Sequence, residues 1–99
     1  MSGSGRGHAL SPDQRRRLRA RAHPLHPVAQ VGRQGLSPAF LAEVDRALAS
    51  HELIKIRLSG SRDERTAQLA AISEELRCAP VSTVGAVAVL YRRSEEKDA

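Results

Sequence analysis

The sequence predicts an α/β fold: a single domain with its elements in the order α-β-α-β-α-β-β, a mixed four-stranded sheet packed with three helices. Three observations predict it. Apolar residues recur at helical spacing in three stretches and alternate, or run on, in four short ones. Helix-start and turn residues punctuate the gaps between those stretches. The chain is 99 residues long, which suits one domain and leaves no room for two. Phe40 and Tyr91 are the only aromatics, so the core must be aliphatic.

Residues 1–8, rich in Gly and Ser, are expected to form a flexible tail. The domain is expected over residues 9–93, with a charged tail at 94–99. Ser11 can cap the first helix, Pro12 suits its first position, and Gln14 completes a capping box. That helix should reach about Ala22, where His23-Pro24 and His26-Pro27 stop it, because the residue before proline avoids the α region. Leu18 and Ala22 form a thin apolar stripe, while Arg15, Arg16 and Arg19 share another face by their spacing.

Residues 28–31 read as a short strand that runs into Gly32-Arg33-Gln34-Gly35. Ser37 then caps a second helix, with Pro38 at its first position. Its core face is Phe40, Leu41, Val44 and Leu48, and it ends near Ser50-His51. Residues 53–58 alternate: Ile54, Ile56 and Leu58 face one way, and Leu53, Lys55 and Arg57 the other. A turn at Ser59-Gly60-Ser61 leads to a third helix from about Asp63, with Leu69, Ile72 and Leu76 inward. Residues 79–84 form a strand, Gly85-Ala86 suits a type II′ hairpin, and residues 87–91 return. The two strand–helix–strand units are expected to be right-handed parallel crossovers. The last strand is apolar on both faces, which calls for cover on both sides of the sheet. The first helix is a candidate for part of that cover.

The net charge is +5, and it is unevenly placed. Residues 1–33 carry seven Arg and one Asp, whereas residues 34–99 carry nine Lys and Arg against ten Asp and Glu. A surface built only for solubility mixes its signs. The asymmetry points to a polyanionic partner, nucleic acid before an acidic membrane or protein. Cys78 is the only cysteine, so no intrachain disulfide can form, which fits a reducing cytoplasm. The longest apolar stretch is a strand's length and cannot span a bilayer. The first residues lack the apolar run of a signal peptide. A cytoplasmic location is therefore expected, with no membrane role.

Gly32-Arg33-Gln34-Gly35 is the leading candidate for a binding loop. Two glycines let the backbone approach a ligand and adopt positive φ. The loop precedes a helix whose first N–H groups and dipole favour an anion. Arg33 adds a guanidinium able to bind phosphate bidentately. The KH module clamps a nucleic-acid backbone with a GXXG loop, although there the loop joins two helices. Taken alone, the four residues are as well explained by a plain strand-to-helix turn. The neighbouring arginines shift the balance: residues 15, 16, 17, 19 and 21 are all Arg, with only Asp13 close enough to neutralise them. Charge runs are usually solvated faces. Here the helix, the loop and the basic strand face of Lys55 and Arg57 could form one surface.

Other chemistries are disfavoured. Phe40 lies on a core face and Tyr91 near a strand end, so neither makes the exposed stacking platform of an RRM or cold-shock surface. Recognition should rest on backbone and shape. One cysteine and scattered histidines do not make a zinc site, and the histidines suit capping and packing roles. Cys78 suits a small buried position. No nucleophile–base set, Walker loop or GxGxxG is present, so no enzyme, no cofactor and no small-molecule substrate are expected.

The runs Ala22-His23-Pro24-Leu25-His26-Pro27-Val28, Val31-Gly32-Arg33-Gln34-Gly35-Leu36, His51-Glu52-Leu53-Ile54-Lys55-Ile56 and Val84-Gly85 through Val89-Leu90-Tyr91-Arg92 resemble a stand-alone bacterial CRM domain. This is the chloroplast RNA splicing and ribosome maturation domain of YhbY-type proteins. The resemblance covers residues 9–93. It implies an RNA-binding protein that associates with precursors of the large ribosomal subunit, and a fold similar to the carboxy-terminal domain of translation initiation factor three. It also implies that the family's GxxG loop falls on Gly32 to Gly35 and its basic surface on the first helix and nearby strand. Arg77 departs from the family where glycine often follows the third helix, and Ala86 where a lysine often follows the hairpin glycine.

The expected function is thus that of a ribosome assembly factor, a monomer contacting precursor large-subunit ribosomal RNA. The expected contacts are Gly32, Arg33, Gln34, Gly35, Arg15, Arg16, Arg19, Lys55 and Arg57. The alternatives are a protein-interaction module docking on an assembly factor, and a general nucleic-acid binder.

Overall fold

Capping decides where each helix starts. The structure, a computed structural model, describes residues 10–94. The expected amino-terminal tail, 1–8, and all of the expected carboxy-terminal tail, 94–99, except Ser94 therefore lie outside the described residues. Helix α1 spans Pro12–Ala22, and its capping box is formed: Ser11 Oγ accepts from Gln14 N–H at 3.1 Å, and Gln14 Oε1 accepts from Ser11 N–H at 2.9 Å. Helix α2 spans Pro38–His51, with Ser37 Oγ accepting from Phe40 N–H. Helix α3 spans Arg62–Leu76. It carries a second capping box, Ser61 with Glu64, so Ser61 belongs to the helix start as well as to the turn.

The strands are β1 (Pro27–Gln30), β2 (Leu53–Arg57), β3 (Ala79–Val84) and β4 (Val87–Tyr91), in the spatial order β1-β2-β4-β3. β1 and β2 are parallel neighbours. β4 is antiparallel to both β2 and β3, so β2 and β3 share a direction with β4 inserted between them. The β3–β4 turn has Gly85 at φ +59°, whereas Ala86 stays out of that region, as a type II′ turn requires.

The sheet buries both faces. Val31, Phe40, Val44, Leu48, Ile54, Ile56, Leu58, Ile72, Ala88 and Leu90 form the larger cluster, where α2 and α3 pack. On the opposite face Leu18 and Ala22 of α1 meet Leu53, Val81 and Val89, with Tyr91 half-buried beside them. β4 thus contributes Ala88 and Leu90 to one layer and Val89 and Tyr91 to the other, which explains its unbroken apolar sequence. Burying one aliphatic side chain of this size contributes about 1.5–3 kcal/mol, so these two layers supply most of the folding drive.

Cys78 is buried in the larger cluster, where burial pushes its thiol up to about 11, partly offset by the Arg92 guanidinium. Ser94 is buried too and donates its N–H to Glu52 Oε2 at 2.8 Å. Among the described residues no helix is long and apolar enough to cross a membrane.

Candidate nucleic-acid interface

The loop Gly32-Arg33-Gln34-Gly35 leaves the carboxyl end of β1 as a tight turn. Gly32 and Gly35 face each other as an isolated bridge, with Gly35 N–H donating to Gly32 O at 3.0 Å. Gly35 has φ +69°, a conformation that costs an L-residue roughly 1–2 kcal/mol. A Cβ on Gly32 would meet nothing within 4 Å, so that glycine leaves open space outside the turn. Arg33 and Gln34 sit exposed at the tip.

Two residues then carry the chain into α2. At that helix start Pro38 has no N–H, Phe40 N–H is taken by Ser37 Oγ, and Leu41 N–H by Ser37 O. The expected set of free helix-start donors is therefore reduced. Ala39 N–H is the first-turn donor that these caps leave unoccupied. The groove under the loop has a volume of about 420 Å³ and is lined by the loop, Gln30, Ser37, Ala39, Phe40 and Glu43.

Arg57 lies beside this loop. It pairs with Gln30 in the β1–β2 register, and its carbonyl accepts Val31 N–H at 2.9 Å. Its other ladder partner is Val87, next to the hairpin, and Leu58 N–H donates to Ala86 O. The loop, Arg57 and the hairpin thus share one end of the sheet, the carboxyl ends of β1, β2 and β3. The side chains of Arg33 and Arg57 make no hydrogen bond or ion pair among the described residues.

The remaining cations are placed differently. Arg15 is half-buried and donates from Nη1 to the carbonyls of Pro80 (2.5 Å) and Val81 (3.1 Å) on β3. β3 and β1 are the two edges of the sheet, so three strand spacings, roughly 14 Å, separate those strands. The structure does not bring Arg15 to the loop. Lys55 Nζ donates to His23 O, the C-cap of α1, at 3.2 Å, where its charge also complements the negative end of the helix dipole. Arg16 and Arg17 both pair with Asp13 on the solvent side of α1. Arg19 is exposed and free of such partners among the described residues. At about 100° per residue it flanks buried Leu18 on the same side as Arg15 and opposite Arg21.

Sequence reasoning missed the groove residues Gln30, Ser37, Ala39 and Glu43 as a group. A signal was present for two of them. Ala39 and Glu43 are one helical turn apart and lie off the Phe40–Val44 core face, so they share the face nearest the loop.

The CRS1/YhbY (CRM) domain family matches residues 10–92. A Haemophilus influenzae protein named as an RNA-binding protein is 46% identical over 89 residues, covering 88% of this chain and 89% of its own. A Bacillus subtilis protein named as a probable RNA-binding protein is 34% identical, covering 88% of this chain and 92% of its own. Among solved structures, the solution structure of a hypothetical Staphylococcus aureus protein, described as a candidate RNA-binding protein, superposes with a TM-score of 0.77 at 31% identity, covering 87% of this chain and 91% of its own. These relatives are named for binding and not for catalysis.

Proposed function

The chain belongs to the CRS1/YhbY (CRM) domain family, and from that premise we propose that it is an RNA-binding protein that holds structured RNA at the loop end of its sheet. One observation carries this reading: the Arg33 and Arg57 side chains, neither with a partner among the described residues, flank a glycine turn at a single end of the sheet. Cations spent on internal contacts add little to a polyanion's affinity, whereas these two keep their full donor sets. The backbone around Gly32 and Gly35 lies close enough to the surface to take a phosphate directly. Gln34 adds an amide at the turn. Arg19 supplies longer-range attraction, with Arg16 and the Lys55 ammonium contributing field rather than contact.

The RNA is precursor large-subunit ribosomal RNA, and the protein works as a monomeric assembly factor through its domain at residues 9–93. The strongly positive amino-terminal third supports a large polyanion over a small phosphate ligand. Sedimentation of cell extract on a density gradient tests this reading. The protein should migrate with large-subunit precursor particles and shift to the top of the gradient when salt is raised. Migration with free protein even at low salt would contradict the ribosomal assignment.

A further inference from the structure

The groove under the loop has a chemistry that phosphate does not explain. Glu43 lies in its wall, its carboxylate making no hydrogen bond or ion pair among the described residues. A carboxylate there repels phosphate oxygens. The same groove is lined by the amides of Gln30 and Gln34 and by the exposed Ala39, with a small edge of the otherwise buried Phe40. Its volume of about 420 Å³ exceeds that of a single planar base. An anionic acceptor flanked by two amides suits a nucleobase edge better than a phosphate, while Arg33 at the turn suits the phosphate joined to it.

We propose that this groove is a base-reading subsite for an unpaired guanine, with Glu43 as the residue that reads it. The inference rests on the RNA-binding reading above and deepens it. Guanine is the only standard base that presents two adjacent donors, N1–H and the N2 amino group, on its Watson–Crick edge. A carboxylate accepts through two adjacent oxygens, so the two edges match. Adenine and cytosine place a ring-nitrogen acceptor beside their amino group, and uracil flanks its one N–H with two carbonyls. Each of those would set a lone pair against the Glu43 carboxylate. Single-stranded loops are where such an edge is available, because duplex pairing hides it. Gln30 and Gln34 carry the complementary donors for guanine O6 and N7.

The test uses the full chain and three stem-loop RNAs that differ at one nucleotide of an otherwise all-uridine loop: guanosine, inosine or adenosine. Inosine keeps N1–H and lacks the N2 amino group. The guanosine loop should bind roughly tenfold or more tighter than the adenosine loop, with inosine between them, as expected for charge-assisted hydrogen bonds lost one at a time. Glu43→Gln should abolish this preference while holding or improving affinity for the adenosine loop, because it removes a charge that opposes phosphate. Glu43 is exposed, so the variant should keep the wild-type circular dichroism spectrum and melting temperature. Equal affinity of the wild type for guanosine and adenosine loops would overturn the subsite, as would a preference that survives Glu43→Gln. Failure of all three RNAs and of a ribosomal RNA transcript to bind would overturn the RNA reading itself.

Discussion

Arg77 closes α3 at φ +54°, ψ +52°, a left-handed position that glycine takes without steric cost. Its N–H still donates to Ser73 O, so the cap forms despite the side chain. Arg77→Gly should therefore stabilise the protein by about 1 kcal/mol, read as a higher midpoint in urea with an unchanged slope. No change, or a loss, would mean that the arginine side chain compensates in a way its exposure does not suggest. The sequence already singled out this position, because glycine is common there in the family and a helix end was expected just before it. Glu52 is a different case. It has φ +66° at the end of α2, yet its carboxylate accepts Ser94 N–H and its carbonyl accepts Arg92 N–H. Those bonds come from the far end of the chain. Nothing local in His51-Glu52-Leu53 announces them.

At the scale of elements, α1 shows why a cluster of arginines is hard to read from sequence. Spacing along the helix predicted that Arg15, Arg16 and Arg19 share a face, and it placed Leu18 and Ala22 inward. Which arginine turns back to the protein depends on the strand under the helix, and that depends on β4 entering between β2 and β3. The hairpin was legible from Gly85-Ala86, but the strand order was not, because no short-range signal says on which side of β3 the hairpin will join the sheet. The result is that α1 is tied at both ends, by Arg15 to the β3 carbonyls and by Lys55 to the His23 carbonyl. Arg15 also blunts the β3 edge, which Pro80 already shields by lacking an N–H. Arg15→Ala should cost about 1 kcal/mol of stability, because a charged donor loses two carbonyl acceptors at a partly exposed site. Arg19→Ala should leave stability nearly unchanged and weaken RNA binding instead. Thermal unfolding and RNA titration of the two variants separate these roles. An Arg15→Ala protein with native stability and the larger binding defect would reverse the assignment.

At the scale of the whole molecule, the fold serves to bring one end of the sheet to the surface with its cations unspent. The element order, the two-sided burial of β4 and the capped helix starts were all legible in periodicity and capping residues, because these are local or depend on one face being apolar. The convergence of Arg57 with the glycine loop was legible only in part. Alternation put Arg57 on the basic face of β2, but its place opposite Gln30 follows from parallel register, which a sequence does not print. Glu43 escaped because a lone carboxylate on a helix resembles any solvated charge until the groove beside it is seen.

The proposed role of this loop end is to hold RNA phosphate through Arg33. It is tested most directly by titrating a structured ribosomal RNA fragment with the wild type and with Arg33→Ala across a range of salt concentrations. The substitution should weaken binding by about 1–3 kcal/mol. It should also lower the slope of log affinity against log salt by about 0.7–0.9, the share of one phosphate contact. Because Arg33 is exposed at a turn, stability should not change. Unaltered affinity and slope would remove the loop from the interface.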